Sequence, residues 1–185
     1  RGGSKVLEAG CCGLLAYNYG ELGDAREGAR RLISAAEAAE TPGTPLIVDC
    51  SSCAAFMKSY EQLFLNEPEW RQRARRFAAR VLDAVEVFDA PALWPEGTAT
   101  YHESCRACHG QGLKTPMKLM DSAPEFRPLA EADSCCGGAG AYAFLHPELS
   151  DEVLKRKISR VAATRAVVVV TSSTSCLIQL AEGLR

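Results

Sequence analysis

This sequence lacks several features that would assign a function directly. No run of about 18 apolar residues occurs in the chain, so no segment is predicted to span a membrane. The formal net charge of −2 argues against nucleic-acid binding, which needs a strong basic excess. There is no G-x-G-x-x-G fingerprint of a dinucleotide site, and no pairing of a nucleophile with a base apart from the cysteines. Any chemistry in this chain is therefore expected to come from its cysteines.

Nine cysteines are present among 185 residues, and most of them occur in close pairs. The pairs are Cys11-Cys12, Cys50 with Cys53, Cys105 with Cys108, and Cys135-Cys136. Disulfides suit small secreted domains with poor cores, whereas this chain is 47% hydrophobic, and adjacent cysteines seldom have the geometry for a mutual bond. Structural zinc and iron–sulfur clusters are the remaining explanations. The sequence therefore predicts a metal-binding protein.

The order of features repeats along the chain. Cys11-Cys12-Gly13 recurs as Cys135-Cys136-Gly137 at an offset of 124 residues, and Cys53 recurs as Cys176 at an offset of 123. Each copy reads as helix, strand, cysteine loop and helix, which is the alternation of a parallel α/β fold. We predict an α/β fold of two duplicated, Rossmann-like parallel units, covering residues 1–90 and 98–185, with a linker at 91–97.

Local patterns predict the elements of each copy. The first copy is predicted to contain a helix over 21–39, a buried strand over 46–48, and helices over 54–65 and 69–88. The second copy is predicted to open with a strand over 99–101 and to continue with a helix over 151–164, a strand over 167–170 and a helix from about residue 177. Ser150 is predicted to cap the helix over 151–164.

The cysteines follow the predicted strands at positions where parallel sheets bind ligands. Cys50 and Cys53, and likewise Cys176, come just after a strand and at the start of a helix, where helix N–H groups favour an anionic metal–sulfur centre. Glycine at the cysteine pairs lets the backbone turn closely. Four thiolates could also hold zinc, although adjacent cysteines on one zinc are unusual. Spacing favours iron–sulfur over zinc and leaves both open.

At these residues the chain resembles the CCG-domain family, which includes lactate utilisation protein A, the iron–sulfur subunit of glycolate oxidase and the CCG-containing subunit of heterodisulfide reductase. The resemblance lies in stretches such as VDCSSCAAFMKSYEQLF, YHESCRACHG and SCCGGAGAYAFLHPELSDEVLKRKI. It implies one or two iron–sulfur clusters of the four-iron (4Fe-4S) type, with zinc as an alternative in the first unit. The ligands that it implies are Cys11, Cys12, Cys50 and Cys53 in the first copy, and Cys105, Cys135, Cys136 and Cys176 in the second.

The sequence departs from the family pattern at two places. The leading cysteine of the first copy has no counterpart here and is expected upstream of residue 1, in a longer protein. Ser173 stands where many relatives have the first cysteine of a C-x-x-C pair. Two neighbouring residues stay open: Cys108 is either a spare thiol or a ligand, and His102 either hydrogen-bonds near the cluster or is structural.

The resemblance implies an electron-transfer subunit of an oxidoreductase complex rather than a complete enzyme. Its expected partner is a flavin-containing dehydrogenase subunit that oxidises a 2-hydroxy acid of the glycolate or lactate type, with a quinone or another carrier as the acceptor. The alternatives are a catalytic cluster subunit like that of heterodisulfide reductase and a zinc-stabilised interaction module. The protein is expected in the cytoplasm, or at the inner face of the membrane through its complex.

Overall fold

The computed structural model describes residues 5–8, 10–39, 43–88, 96–113 and 125–185. Contacts between residues divide the chain into two compact units. The first unit comprises Arg1–Ile47 with Phe56–Leu82, and the second comprises Val48–Ala55 with Asp83–Arg185. The short segment that carries Cys50 and Cys53 thus belongs to the second unit.

The first half of the chain alternates helices with two short strands. In chain order its elements are α1 (Leu14–Asn18), α2 (Leu22–Ala38), β1 (Leu46–Val48), α3 (Ser51–Lys58), a 3₁₀ helix (Tyr60–Phe64), α4 (Pro68–Ala78), β2 (Val81–Asp83) and α5 (Ala84–Val87). Strand β1 pairs with β2, and the Leu46 N–H donates to the Arg80 carbonyl at 2.8 Å.

The core of the first unit forms because α2 is amphipathic and its small residues face inward. Ala25, Ala29 and Ile33, spaced at four residues, are fully buried. The Tyr60 ring stacks on Phe77 at 5.5 Å between centroids and is buried as well. Its hydroxyl donates to the Cys12 carbonyl at 2.6 Å, so this aromatic core holds the Cys11-Cys12 corner in place.

The second half of the chain contains a parallel strand pair and the helices around it. Its elements are β3 (Ala99–His102), α6 (Cys105–Cys108), α7 (Tyr142–Leu145), α8 (Pro147–Thr164), β4 (Val168–Thr171) and α9 (Thr174–Gly183). Strands β3 and β4 are parallel, with Ala99 opposite Val168 and His102 opposite Thr171. The carboxyl ends of both strands therefore lie at one edge, and Cys105 and Cys176 follow at that edge.

The predicted α/β class is confirmed in its general form, as mixed helices with short paired strands. The strand predicted over 46–48 is β1, but it is not buried as predicted, because it belongs to a two-stranded sheet in which Ile47 is exposed. The strands predicted over 99–101 and 167–170 are β3 and β4 with ends shifted by one residue. The helix predicted over 21–39 is α2. The predicted linker at 91–97 falls mostly outside the described residues.

The helix predicted over 69–88 is wrong in its second half. Helix α4 ends at Ala78, and β2 follows with Val81 and Asp83 buried. Propensity favours a helix through this Ala- and Arg-rich run, but pairing with β1 buries Val81 and satisfies the backbone groups of a strand. The helix predicted over 54–65 is likewise divided, because α3 ends at Lys58 and a 3₁₀ turn follows.

Two helix starts also differ from prediction. Helix α8 begins at Pro147, whose missing N–H is tolerated in a first turn, so Ser150 is not its cap. Ser150 is instead buried within the helix, and its hydroxyl donates to the Gly137 carbonyl at 3.1 Å. Helix α9 begins at Thr174 rather than near residue 177, with Ser173 at its N-cap position.

Replacing Asp83 with alanine is expected to lower the free energy of unfolding by about 2 kcal/mol. The buried Asp83 carboxylate accepts hydrogen bonds from the Val85 N–H at 3.2 Å and from Gln111 Nε2 at 2.8 Å. Alanine would leave both donors without this acceptor. Anaerobic urea unfolding measures the loss, with the exposed Asp151→Ala on α8 as the control. Equal effects of the two substitutions would contradict this role for Asp83.

Candidate metal centre

Four cysteines of the second unit converge at the carboxyl edge of β3 and β4. Cys105 begins α6 shortly after β3, Cys176 lies in the first turn of α9 after β4, and Cys135-Cys136 forms a corner before α7. Hydrogen bonds connect the four thiols in one set, since Cys105 and Cys136 donate to Cys135 and Cys136 also pairs with Cys176. The structure thus brings together the four residues predicted as the ligands of the second copy.

The hydrogen bonds among these thiols shift their pKa values in opposite directions. Donation from Cys105 and then from Cys136 lowers the pKa of Cys135. The same donated bonds, together with burial, raise the pKa of Cys105 and of Cys136. Cys136 also lowers the pKa of Cys176 against the effect of burial, with help from His102 and Ser173. Because metal ligands must be deprotonated, metal binding at this set of thiols would release the protons that remain.

The Cys135-Cys136 corner is fixed by glycine. Gly137 has a φ of +88°, and a Cβ there would lie 2.6 Å from the Ser150 carbonyl oxygen. The Gly137 N–H donates to Cys135 Sγ at 3.3 Å, which supports negative charge on that sulfur. In the first unit the Gly13 N–H donates to Cys11 Sγ at 3.4 Å with a φ of +84°. Both cysteine corners therefore have the same local geometry.

A buried lysine holds the loop that leads into this corner. Lys157 on α8 is fully buried, and its ammonium donates to the carbonyls of Glu131 at 2.7 Å and Ala132 at 3.2 Å. Burial lowers the pKa of Lys157. Because both acceptors are backbone groups just before Cys135, the lysine fixes the path of the chain into the corner and places a cation near the thiols.

The four cysteines predicted as the first metal site are divided between the two units. Cys11, which is exposed, and Cys12, which is buried, lie in the first unit, and Cys50 and Cys53 lie in the second. The Cys53 side chain donates to Cys50 and lowers its pKa to about 4, against the effect of burial. The sharing of one metal by these four thiols stays a prediction.

Serine pairs join the two cysteine loops within the second unit, a feature that sequence reasoning missed. The Ser51 N–H donates to the Ser172 carbonyl at 2.8 Å, and the two hydroxyls are bonded at the same distance. The hydroxyls of Ser52 and Ser173 are 2.9 Å apart, and Ser173 also bonds to Ser175 at 3.1 Å. The signal was present as a serine pair after each strand. Ser173 is therefore buried and engaged by neighbouring hydroxyls.

His102 and Cys108 differ in their relation to the four thiols. One ring nitrogen of His102 and the sulfurs of Cys136 and Cys176 all lie within 4.8 Å of one another, and all three residues are buried. Cys108 lies one turn after Cys105 on α6, where its thiol donates to the Ser104 carbonyl at 3.3 Å. Burial raises the pKa of Cys108. The His102 imidazole thus lies close to the two buried sulfurs, and the Cys108 thiol bonds to a backbone carbonyl.

Comparison with known proteins identifies the family. The cysteine-rich domain of the CCG family matches residues 4–58 and 99–181, which is more than half of the chain. The chain therefore belongs to the CCG cysteine-rich family, and the resemblance inferred from its motifs is confirmed. Among the described residues, no helix combines the length and the apolar character needed to cross a bilayer.

Three curated proteins illustrate the relationship. The probable glycolate oxidase iron–sulfur subunit of Bacillus subtilis is 32% identical over 96% of this chain, which spans 42% of that protein. Lactate utilization protein A of Geobacillus thermodenitrificans is 32% identical over 92% of the chain and 73% of its own length. The uncharacterized protein YkgE of Escherichia coli is 33% identical over 95% of the chain and 76% of its own length.

Proposed function

We propose that this chain is an iron–sulfur electron-transfer component of an oxidoreductase that oxidises a 2-hydroxy acid of the glycolate or lactate type. One structural observation carries the proposal: four thiols, those of Cys105, Cys135, Cys136 and Cys176, form one hydrogen-bonded set at the edge of a parallel strand pair. The names of two relatives, an iron–sulfur subunit of glycolate oxidase and a lactate utilization protein, supply the substrate class.

The donor set fits an iron–sulfur cluster. Cysteine thiolates hold such clusters, and four are the usual number for a four-iron cluster. A bound cluster supplies a one-electron carrier whose potential depends on hydrogen bonds to its sulfurs and on solvent exposure. Here Cys136 and Cys176 exclude water by their burial, the Gly137 N–H is directed at Cys135, and Lys157 holds the preceding loop. We propose Cys11, Cys12, Cys50 and Cys53 as the ligands of a second site.

The chain needs partners to act as an electron carrier. Its sequence has no dinucleotide fingerprint, so we propose that a flavin-containing dehydrogenase subunit oxidises the hydroxy acid and passes electrons to this protein. A quinone or another carrier then accepts them. We place this complex in the cytoplasm or at the inner face of the membrane.

One observation favours a second candidate, a zinc-stabilised module. The buried His102, Cys136 and Cys176 offer the nitrogen and sulfur donors that structural zinc prefers, at a mutual spacing within 4.8 Å. In this function the metal would stabilise the fold without carrying electrons.

Anaerobic purification and reconstitution with iron and sulfide distinguish the two functions. The electron-transfer proposal expects about four iron and four sulfide per occupied site, a visible absorption that bleaches on reduction, and a paramagnetic signal in the reduced state. It also expects glycolate or lactate to reduce the protein only when a flavin-containing hydroxy-acid dehydrogenase is added. Binding of zinc alone, with no iron retained after reconstitution, would overturn the proposal.

The site proposed for Cys11, Cys12, Cys50 and Cys53 is tested by replacing Cys50 and Cys53 together with alanine. We expect the metal content to fall to that of one site and the free energy of unfolding to decrease, because metal-binding energy contributes to folding. Iron and zinc analysis with urea unfolding measures both effects. Cys108→Ala serves as the control, since its thiol bonds to a backbone carbonyl. Unchanged metal content in the double variant would rule out this ligand assignment.

A further inference from the structure

We infer that His102 is a direct metal ligand, a nitrogen donor that completes the site of Cys105, Cys135, Cys136 and Cys176. The inference rests on the proposed function, because it concerns the same site. It adds a donor of a different chemical kind to the four thiols. A nitrogen donor on one iron, in addition to or in place of a thiolate, changes the charge and the reduction potential of the site, and histidine in place of cysteine raises the potential of an iron–sulfur centre.

The first argument is that the His102 side chain is buried and that its interaction is with a sulfur of the proposed site, the Cys176 thiol. The residue is 1% exposed, and neither ring nitrogen makes a hydrogen bond to a nitrogen or oxygen atom within the described part of the chain. A structural histidine normally satisfies these atoms, because leaving a buried polar group unpaired is destabilising. The hydroxyls of Ser104 and Thr171 are also buried and do not bond to the imidazole. A metal would satisfy one of its nitrogens.

The second argument is the distance from the imidazole to the sulfurs. A ring nitrogen of His102, Cys136 Sγ and Cys176 Sγ lie within 4.8 Å of one another. Metal–nitrogen bonds of about 2.0–2.1 Å and metal–sulfur bonds of about 2.3 Å allow a nitrogen this close to the two sulfurs to bind an iron of the same cluster after small side-chain adjustments. The imidazole also interacts with the Cys176 thiol through a side-chain hydrogen bond.

The third argument is that the register of β3 and β4 places His102 at the edge of the strand pair where the cysteines lie. It is the last residue of β3, opposite Thr171 at the end of β4. The loop after β4 leads to Cys176, and the loop after β3 leads within three residues to Cys105. The parallel register therefore brings the imidazole to the edge at which both cysteines follow.

The position of Ser173 explains why a further donor is available to the site. A serine hydroxyl is a harder and less acidic ligand than a thiol, so it binds iron poorly at neutral pH. The Ser173 hydroxyl is already engaged by Ser52 and Ser175. His102, close to Cys136 and Cys176, thus offers a ring nitrogen that could donate to a metal.

The decisive experiment uses the complete chain, reconstituted anaerobically with iron and sulfide and labelled with ¹⁵N in its histidine rings. Pulsed electron paramagnetic resonance of the reduced protein is expected to show a directly bonded ¹⁵N coupling. His102→Gln should abolish that coupling and speed the loss of iron to a chelator by about 10- to 100-fold. The matched control is His109→Gln, because His109 is exposed and pairs with Asp133; it should keep both the coupling and the iron.

The outcomes separate this inference from the proposed function. Iron and sulfide in the wild-type protein without a histidine ¹⁵N coupling would overturn ligation by His102 and leave electron transfer standing. A wild-type protein that takes up no iron would overturn both. If His102→Gln does not fold, the coupling in the wild-type protein and its survival in both His109→Gln and His146→Gln still decide the question, because these are the other two histidines of the chain. His102→Cys should retain the iron, lose the coupling and shift the potential downward.

Discussion

Cys136→Ser is expected to empty the metal site of the second unit and to destabilise that unit more than any other single thiol substitution. Cys136 is 2% exposed and packs with Cys176 and Leu180 in a small core cluster, against Ile158 and Val169. Its thiol bonds to both Cys135 and Cys176. Serine keeps the size of the side chain but replaces a soft thiolate by a hard hydroxyl that iron binds poorly.

The stability effect follows from linkage between metal binding and folding. A metal that binds only the folded state stabilises it by about 4 kcal/mol when free metal is a thousandfold above the dissociation constant, and structural metals can contribute more. Loss of the site should therefore remove at least this amount. Metal analysis and anaerobic urea unfolding measure the two effects.

Cys108→Ser is the matched control for Cys136→Ser. Cys108 is also a cysteine of the second unit, yet its thiol donates to the Ser104 carbonyl rather than to one of the four thiols. A serine hydroxyl can make the same bond, so metal content should stay unchanged. Loss of metal in Cys108→Ser with retention in Cys136→Ser would show that Cys108 belongs among the ligands and that Cys136 does not.

The sequence predicts the strands of this protein better than it predicts the helix boundaries. Strand β1 was predicted at its observed residues, because Leu46–Val48 is a short apolar run bounded by turn signals. Strand β2 was missed, because its formation depends on pairing with β1 and on burial of Val81, both non-local, while local propensity favours a helix.

The thiols of the candidate metal site could be predicted from the sequence, and the residues around them only in part. Cysteine spacing and the position of the loop after the strand indicated Cys135, Cys136 and Cys176, and the resemblance to the CCG family added Cys105; the structure brings the four together. Sequence placed His102 near the site but left its role open, because its burial and its distance to the sulfurs are visible only in three dimensions. Ser150 was misassigned as a cap for the same reason, since its contact with Gly137 spans 13 residues.

The second large effect is expected from Gly137→Ala. Two independent penalties apply at this position: the φ of +88° disfavours any residue with a side chain, and the new Cβ would lie 2.6 Å from the Ser150 carbonyl oxygen. That oxygen belongs to the backbone of α8 and cannot move aside as the end of a flexible side chain could. We expect the free energy of unfolding to fall by about 2–4 kcal/mol.

A metal effect should accompany this loss of stability. Gly137 directly follows Cys136, and its N–H donates to Cys135 Sγ at 3.3 Å. A displaced backbone would misplace both thiols and weaken that hydrogen bond, so iron retention against a chelator should fall by about 10- to 100-fold. Reconstituted Gly137→Ala protein is compared with wild type by chelator competition and by urea unfolding.

Gly112→Ala separates the conformational penalty from the steric one. Gly112 lies in the same unit with a φ of +66°, and a Cβ there would meet nothing within 4 Å. It should lose only about 1 kcal/mol and keep its iron, because it lies away from the cysteine corner in sequence and has no steric conflict. Equal losses of stability and of iron in the two alanine variants would contradict this explanation. Close packing of Gly137 against Ser150 would then not be the cause of the metal-binding geometry of the Cys135-Cys136 corner.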